Sequence, residues 1–450
     1  MPKMIDEAEL ELLVQAVQKL GQGYSHLPEY DAGFDPEKAA DVLAEVARRM
    51  HDNYPYFHPQ YAGQMLKPPH PVARIAYAMS LWINPNNHAL DGGRASSAME
   101  KECIVDIGKM FGWSSCLGHL TGGGTMANLE ALWIAAKLHP DKGVVASEFA
   151  HYTHKRLTDV LRIPFVEVAV DRAGRMDCSA LEKELRKGTV GTVVATVGIT
   201  GQGGVDPLGE ILELQQDYGF RVHADAAYGG YFGLASKLRA ETRASFDRLS
   251  AVDSIVVDPH KHGLQPYGCG CVLFRDPSVG SIYRHDSPYT YFSSKELHLG
   301  EISLECSRPG AAAVALWATM RLLPLEPGGE FAASLDRCLD AARDLHRRLE
   351  RSDFFLPLYE PELDIVVYAC EAEDTIVSSE RARRLFETAA ERELHLALSE
   401  LPTRCLQGKL GSMQIDSESL TCLRSVLMKP QQADWSQRIF ELLEESAGRL

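Results

Sequence analysis

The sequence lacks the patterns that would place the protein in a membrane or in an oxidising compartment. No apolar run approaches the length needed to cross a bilayer, and the chain turns acidic at Asp6 and Glu7, where a signal peptide would turn apolar. The ten cysteines are scattered, and only Cys269 and Cys271 lie close together, which favours neither a disulfide framework nor a zinc site. We therefore expect a cytoplasmic protein with reduced thiols.

Basic residues are also fewer than acidic ones, with 46 lysines and arginines against 62 aspartates and glutamates. The resulting net charge of -16 repels phosphate backbones and anionic lipid, so we expect neither nucleic acid nor a membrane as a partner. Two nucleotide-binding signatures are missing as well. The glycines at 122–124 are not followed by the Lys-Ser/Thr pair of a P-loop, and no GxGxxG fingerprint occurs.

Short β-branched runs alternate with helical stretches in the central third of the chain. They occur at residues 144–146, 192–197, 221–224, 254–257 and 271–274. This alternation predicts an α/β fold with a mainly parallel sheet covered by helices. One crossover can be followed in detail, because Asp206 and Pro207 are expected to begin a helix that Gly219 ends.

The pattern changes on both sides of this central part. The pattern of the N-terminal part predicts helices and extended connections. In the C-terminal part, long helical runs at 311–322 and 331–351 precede short predicted strands near 363–369 and 420–427. The Pro- and Gly-rich segment 324–329 between them is the candidate hinge. We predict an N-terminal helical segment at 1–60, a large α/β domain at 61–323 and a smaller α+β domain at 324–450.

A lysine follows one of the predicted strands, in the segment DPHKHG at 258–263. Ligands of open α/β sheets gather just beyond strand ends. Lys261, with a histidine on each side, is placed to attack an aldehyde as the free amine. The alternative is a solvated loop lysine, which this segment alone favours.

A carboxylate followed by small residues ends another strand, in the segment VHADAAYGG at 222–230. Small neighbours let a flat ring approach the backbone. Asp225 facing a pyridine nitrogen would keep that ring protonated and make it an electron sink. The alternative is a helix cap or a structural ion pair.

Glycines precede a clear amphipathic helix in the segment TGGGT at 121–125. The free amides and the dipole at such a helix start form an anion site. Glycine-rich loops before helices are also ordinary turn chemistry, so this feature is only moderately specific.

Two histidines, His151 and His154, have the spacing of metal ligands on one helix face. No suitably spaced acidic or thiol ligands accompany them, so we expect no metal. We expect one of these histidines to stack on a ring and the other to be solvated.

Taken together and in this order, these segments resemble the group II decarboxylases that depend on pyridoxal 5'-phosphate (PLP). This family contains the aromatic-amino-acid, glutamate and archaeal tyrosine/aspartate decarboxylases. The likeness runs from about residue 54 to 324, and its most specific part combines HADAAYGG at 223–230 with DPHK at 258–261. It implies the PLP-dependent transferase fold (fold type I), which has a large, mainly parallel seven-stranded sheet and a smaller α+β C-terminal domain.

The family pattern, carried over position by position, also implies which residues hold PLP. Lys261 binds the cofactor aldehyde, Asp225 pairs with the pyridinium nitrogen, and His151 and Ala227 cover the two ring faces. The other cofactor contacts that it implies are Gly124, Thr125, Thr200, Asp258 and His260. Because Asp258 stands where many relatives have asparagine, a contact with the phosphate would need a proton or a water between two anions.

The segment RHDSPYTYF at 284–292 resembles the loop that relatives send into a neighbour's active site, which implies a homodimer. Tyr289 matches the acid that reprotonates the substrate carbon, with Tyr291 as the second choice. Packing of these aromatic rings at the dimer is the alternative. Arg308 is the candidate contact for the substrate carboxylate. The remaining candidate substrate contacts are Phe57, His58, Trp82 and His88.

The resemblance implies decarboxylation of an L-amino acid to the amine and carbon dioxide. The aromatic residues at 54–61 suggest an aromatic or apolar substrate, although core packing explains them as well. Alternatives on the same scaffold are an aldehyde-forming decarboxylase, a carbon-carbon lyase and an aminotransferase. Tyr289 favours simple decarboxylation, since a phenylalanine at the loop position accompanies aldehyde formation in aromatic relatives.

Two other functions, from different classes of protein, lead to different predictions. A catalytically silent scaffold should have lost Lys261, Asp225 or His151, yet all three are present. A zinc hydrolase built on the two histidines should retain metal and show no yellow colour.

Overall fold

The computed structural model describes residues 6–30, 33–88, 92–284 and 303–449. The chain begins with helices, as the N-terminal pattern predicts. These are α1 (Glu7–Gln22), α2 (Pro36–Met50), α3 (Pro71–Ser80) and α4 (Arg94–Met110). Asp6 and Asp35 begin α1 and α2 because their carboxylates accept hydrogen bonds from amides of the first turn.

A large sheet forms the centre of the molecule. Its strands are β1 (Leu117–Thr121), β2 (Gly143–Ser147), β3 (Phe165–Val168), β4 (Val190–Thr196), β5 (Arg221–Asp225), β6 (Ser254–Val257) and β7 (Gly270–Phe274). The strand order is β1-β7-β6-β5-β4-β2-β3, in which β7 is antiparallel to both neighbours and the other pairs are parallel. The predicted α/β fold with a mainly parallel sheet is therefore confirmed.

Helices connect these strands and cover the sheet. They are α5 (Gly124–Leu138), α6 (Thr153–Leu161), α7 (Cys178–Leu185), α8 (Leu208–Tyr218), α9 (Ala240–Phe246), α10 (Gly280–Tyr283) and α11 (Gly310–Leu322). Short 3-10 turns span Gly230–Leu234, Leu249–Ala251, Pro277–Val279 and Thr403–Leu406. Gly219 ends α8 in the left-handed conformation at φ 68°, as predicted.

The prediction that Asp206 caps α8 is wrong. Its buried carboxylate accepts hydrogen bonds from the amides of Met176 and Thr196, at 2.7 Å each. These two amides lie in the interior and need an acceptor, which Asp206 supplies instead of turning towards its own helix. Burial raises the pKa of Asp206 to about 7.

A second, antiparallel sheet follows, with strands β8 (Phe355–Pro357), β9 (Ile365–Cys370), β10 (Ala397–Pro402) and β11 (Ser419–Val426) in the order β10-β11-β9-β8. Its helices are α12 (Glu330–Leu349), α13 (Thr375–Ala390) and α14 (Gln432–Ala447). The predicted C-terminal helices and strands are confirmed. One apolar core contains residues from both parts of the molecule, such as Val257 of β6 and Leu335 of α12. The predicted domain boundaries at 60 and 323 stay a prediction.

Along the described ranges, none of the helices combines the length and the apolar character that crossing a bilayer requires.

A buried hydrogen bond joins the two sheets. Tyr228, which follows β5, donates its hydroxyl to Asp364 Oδ1 at 2.6 Å, just before β9. His262 Nε2 lies 3.2 Å from the other oxygen of Asp364. Burial raises the pKa of Tyr228 well above its usual range, so the hydroxyl keeps the proton that it donates.

Tyr228→Phe is expected to lower the free energy of unfolding by about 1–3 kcal/mol, because Asp364 loses a donor while it stays buried. The measurement is urea unfolding of the purified protein. Tyr231→Phe is the matched control, since the Tyr231 hydroxyl is also buried but has no hydrogen-bond partner among the described residues. Equal losses in the two variants would contradict the assignment.

Candidate active site

A cavity of about 470 Å³ lies beyond the carboxyl ends of the parallel strands. The segments that follow β1, β2, β4, β5 and β6 supply its walls, as expected for a ligand site on an open α/β sheet. The structure brings together at this cavity all of the residues that the resemblance assigns to the cofactor: Gly124, Thr125, His151, Thr200, Asp225, Ala227, Asp258, His260 and Lys261.

Lys261 is held in the cavity by a buried carboxylate. Its Nζ lies 3.1 Å from Asp258 Oδ2, and His260 Nε2 lies 3.6 Å from the same oxygen. The side chain of Lys261 is 22% exposed, whereas that of Asp258 is 2% exposed. The lysine predicted by the DPHKHG segment is therefore an ion-paired residue of the cavity wall and not a solvated loop lysine.

Asp225 is a buried carboxylate at the end of β5. Its Oδ2 accepts a hydrogen bond from His154 Nε2 at 2.8 Å, and its Oδ1 accepts one from the amide of Ala227 at 3.2 Å. Burial alone would raise the pKa of Asp225, but the hydrogen bond from His154 and the charges of His154 and Lys261 hold it well below its usual range. Asp225 is therefore a carboxylate that stays charged inside the protein.

The prediction that one of the two histidines is solvated is wrong for His154, whose side chain is fully buried. His154 lies in the first turn of α6, three and four residues before the buried Leu157 and Thr158. Residues at this spacing share one helix face, so His154 faces the sheet with them. Leu157, an apolar residue three positions later on the same helix face, was the signal in the sequence that pointed to a buried position.

His151 contributes a flat ring to the cavity wall. Its Nδ1 accepts a hydrogen bond from the amide of Thr153 at 3.3 Å, and its ring centroid lies 4.4 Å from that of Tyr152. Burial lowers the pKa of His151, with Asp225 acting in the opposite direction. The ring is therefore uncharged near neutral pH, as suits stacking on an aromatic ligand.

The glycine-rich turn before α5 forms another part of the wall. Gly123 has φ 149°, a conformation that side chains rarely adopt. A Cβ at Gly124 would lie 2.6 Å from Asp258 Oδ2, so a larger residue there would displace the carboxylate. Gly123, the residue before α5, has no side chain with which to cap the helix, which leaves the first amides of α5 for an anion.

Glu305 is a wall residue that the sequence did not reveal. Both of its carboxylate oxygens accept from the amide of Gly122, at 3.0 and 2.9 Å. Arg424 of β11 is another polar residue that the sequence did not indicate. Its guanidinium donates to the carbonyl oxygen of Thr200 at 2.9 Å. Both contacts join residues more than 180 positions apart. No local pattern reports such pairings.

Arg308 does not line the cavity as predicted for a substrate contact. It is buried, and it donates to Glu100 Oε1 at 2.6 Å and to the carbonyls of Leu120 and Asn87. Glu100 is fully buried and needs a countercharge, which Arg308 supplies. In this chain the guanidinium is therefore used to neutralise a core carboxylate.

The other predicted substrate contacts also lie away from the cavity. Phe57 lines a separate cavity of about 440 Å³, and the ring of His58 lies 5.0 Å from that of Trp435. Trp82 is 63% exposed, and His88 is half-buried outside the cavity wall. Within one chain, packing and exposure therefore separate these side chains from Lys261. Tyr289 and Tyr291 lie outside the described residues.

Within the described ranges, no three His, Cys, Asp or Glu side chains gather in a way that could hold a metal ion.

Comparison with known proteins identifies the chemistry of this cavity. The family model for the pyridoxal-dependent decarboxylase conserved domain matches residues 26–371. The chain belongs to the pyridoxal-dependent decarboxylase family. It is a PLP-dependent carboxy-lyase that acts on an amino acid, as the resemblance predicted.

Individual relatives agree with this assignment. The chain is 32% identical to a probable L-tyrosine/L-aspartate decarboxylase of Methanothermobacter thermautotrophicus, covering 68% of this chain and 82% of the relative. It is 27% identical to an L-tyrosine decarboxylase of Enterococcus faecium, covering 83% and 79%. A crystal structure of Oryza sativa TDC with PLP and tryptamine matches with a TM-score of 0.80 at 17% identity, covering 100% and 99%. That likeness shows the fold, and fold type I is confirmed.

The wall of the decarboxylase cavity fits PLP. Asp225 keeps the negative charge that a protonated pyridine nitrogen needs, His151 offers an uncharged ring, and Lys261 offers an amine. Buried polar atoms of the wall without a hydrogen-bond partner among the described residues are Thr196 Oγ1, Asp258 Oδ1 and His260 Nδ1. Buried polar atoms are normally paired, so such atoms at one cavity mark a polar ligand.

Lys261→Ala is expected to abolish the visible absorption of the purified protein, because the aldehyde of PLP then has no amine to react with at this position. The measurement is an absorbance spectrum, followed by borohydride reduction and mass spectrometry of the peptide that carries the cofactor. Lys155→Ala is the control, since Lys155 is a surface residue paired with Glu167. A visible band retained in the Lys261 variant would refute the assignment of the lysine.

Proposed function

We propose that the protein decarboxylates an L-amino acid with an uncharged, aromatic or apolar side chain and releases the amine and carbon dioxide. The observation that carries this choice is the charge of the cavity wall. Among the described residues the wall holds the carboxylates of Asp225, Asp258 and Glu305 against one lysine, Lys261, and no arginine. A substrate with a side-chain carboxylate would meet like charges there, which disfavours its binding.

The names of the relatives include both tyrosine and aspartate as substrates. Arg308, the residue predicted to recognise a carboxylate, is held by Glu100 at 2.6 Å. A guanidinium already paired with a buried glutamate contributes little to binding a second carboxylate. This pairing supports tyrosine-like substrates over aspartate.

When bound, PLP supplies an electron sink that accepts the electron pair left behind as carbon dioxide departs. The protein residues prepare that chemistry. Asp225 keeps its charge for the pyridine nitrogen, and His151 covers the cavity as a neutral ring. Asp258 holds the amine of Lys261 at 3.1 Å, so that the amine stays inside the cavity.

L-tyrosine is expected to be decarboxylated with a kcat/KM at least about tenfold above that for L-aspartate, since like charges at a site disfavour binding by more than 1.4 kcal/mol. The measurement is carbon dioxide release from all standard L-amino acids, with chromatography of the products. Faster turnover of aspartate or glutamate would overturn the proposed substrate class. An aldehyde or a keto acid in place of the amine would indicate one of the other PLP reactions.

We further propose that the working unit is a homodimer in the cytoplasm. Helices α1 and α2 bury none of their residues, although they carry apolar side chains. Those more than 45% exposed include Leu10, Leu12, Val14, Val42, Leu43 and Val46. Apolar faces of this kind are typical of surfaces that another subunit covers. The ten cysteines are all unpaired, which supports a reducing compartment.

Tyr289 is proposed as the acid that returns a proton to the substrate carbon in the partner's site, on the strength of the resemblance in segment 284–292. Neither Lys261→Ala nor Tyr289→Phe should form amine at an appreciable rate alone. Mixed after unfolding and refolding together, they should recover about a quarter of wild-type activity, because half of the dimers are mixed and each has one intact site. The measurement is amine formation across mixing ratios.

Tyr291→Phe is the control, and it should form amine without any mixing. Loss of amine formation in Tyr291→Phe alone, with recovery when it is mixed with Lys261→Ala, would reassign the acid to Tyr291. No recovery in the mixture of Lys261→Ala with Tyr289→Phe, with each variant folded, would contradict a site shared between subunits.

A further inference from the structure

The carboxylate that faces the cofactor site has a partner that does not line the cavity. His154 lies in α6 behind Asp225, and its Nε2 is 2.8 Å from Asp225 Oδ2. A carboxylate oxygen only accepts, so Nε2 must carry the hydrogen of this bond. Both side chains are buried, at 0% and 7% exposure, so this bond is shielded from bulk water.

The neighbouring histidine is occupied elsewhere. His223 contacts Asn128 Oδ1 through Nε2 at 2.8 Å and Ser254 Oγ through Nδ1 at 2.9 Å. Burial, reinforced by His154, lowers its pKa to about 3, so it is uncharged. His223 therefore forms its hydrogen bonds with other groups, and among the described side chains His154 is the hydrogen-bond donor to Asp225.

The two oxygens of Asp225 have different surroundings. Oδ2 accepts the short hydrogen bond from His154, whereas Oδ1 accepts a longer one, at 3.2 Å, from the amide of Ala227 in the cavity wall. A carboxylate oxygen has room for more than one donor. Oδ1 can therefore accept a further hydrogen bond from a ligand, while the hydrogen bond from His154 fixes Oδ2.

We propose that His154 is a positioning residue, which donates Nε2–H to Asp225 Oδ2 and so holds this carboxylate ionised and oriented for the protonated pyridine nitrogen of PLP. The inference rests on the PLP site described above and extends it to a residue that does not reach the cofactor. Burial without this donor would favour a neutral carboxyl group, which cannot stabilise a charged ring nitrogen. The electron sink would then be weaker.

Variants at position 154 separate the donor from the bulk of the ring. His154→Phe keeps an aromatic ring and removes the hydrogen bond, whereas His154→Gln places an amide N–H where Nε2 stood. Loss of a hydrogen bond to a charged group corresponds to a factor of about ten or more in an equilibrium constant. We expect the dissociation constant of PLP to rise by at least about tenfold in His154→Phe and to stay near the wild-type value in His154→Gln.

The decisive readout is the protonation of the ring nitrogen. PLP labelled with nitrogen-15 at the ring is bound to each variant, and its nitrogen chemical shift is recorded by NMR. The shift should indicate a protonated ring in the wild type and in His154→Gln. It should move towards the unprotonated value in His154→Phe. A purely structural role for His154 would not move this signal.

The chain offers a matched control in a second buried histidine-carboxylate pair. His119 Nε2 lies 2.8 Å from Glu130 Oε2, both side chains are fully buried, and neither lines the cavity. His119→Phe makes the same change in the same kind of environment. It should cost a similar amount of thermal stability and leave the ring nitrogen signal unchanged.

A protonated ring and an unchanged dissociation constant in His154→Phe would overturn the proposal. Equal loss in His154→Gln, with the fold intact, would also overturn it, because the restored donor would then have no effect. If His154→Phe does not fold, His154→Met removes the donor in its place. Failure of the wild type itself to bind PLP would instead refute the cofactor site, which separates the two claims.

Discussion

The site depends on one constraint, which is that Asp225 must stay charged inside the protein. A buried carboxylate normally takes up a proton, because the interior solvates an ion poorly. The hydrogen bond from His154 and the charges of His154 and Lys261 reverse this preference. The stabilised charge is the feature that makes the cavity suitable for a cofactor with a cationic ring, and His154 and Lys261, which stabilise it, come from separate segments of the chain.

The sheet explains why those segments meet. Parallel strands end at the same edge, so Asp225 at the end of β5 and Asp258 after β6 come together with the residues that follow β2 and β4. The glycine-rich turn after β1 joins them, because β1 also runs parallel to β6, with β7 between the two. The absence of a side chain at Gly124 lets Asp258 lie against the start of α5. The site at this edge of the sheet therefore depends both on the strand order and on small residues such as Gly124.

Much of this arrangement could be predicted from the sequence, since its signals are local. β-branched runs indicated β2, β4, β5, β6 and β7. β1 and β3 were not predicted, since LGHLT contains a single β-branched residue and a glutamate interrupts FVEV. Lys261 and Asp225 followed from two motifs at strand ends, and the family resemblance supplied the other cofactor residues. Contacts between residues that are far apart in the sequence could not be predicted. Arg308 is neutralised by Glu100, 208 residues away, and His154 reaches Asp225 only because α6 packs on the sheet.

The bond between Tyr228 and Asp364 has a mechanical consequence. Tyr228 is the residue next to Ala227, which forms the wall of the cofactor cavity. Any separation of the second sheet from the first must therefore pull on the backbone that supports this wall. A disturbance of the C-terminal sheet at Asp364 would therefore reach the wall of the cavity through one hydrogen bond and one peptide unit.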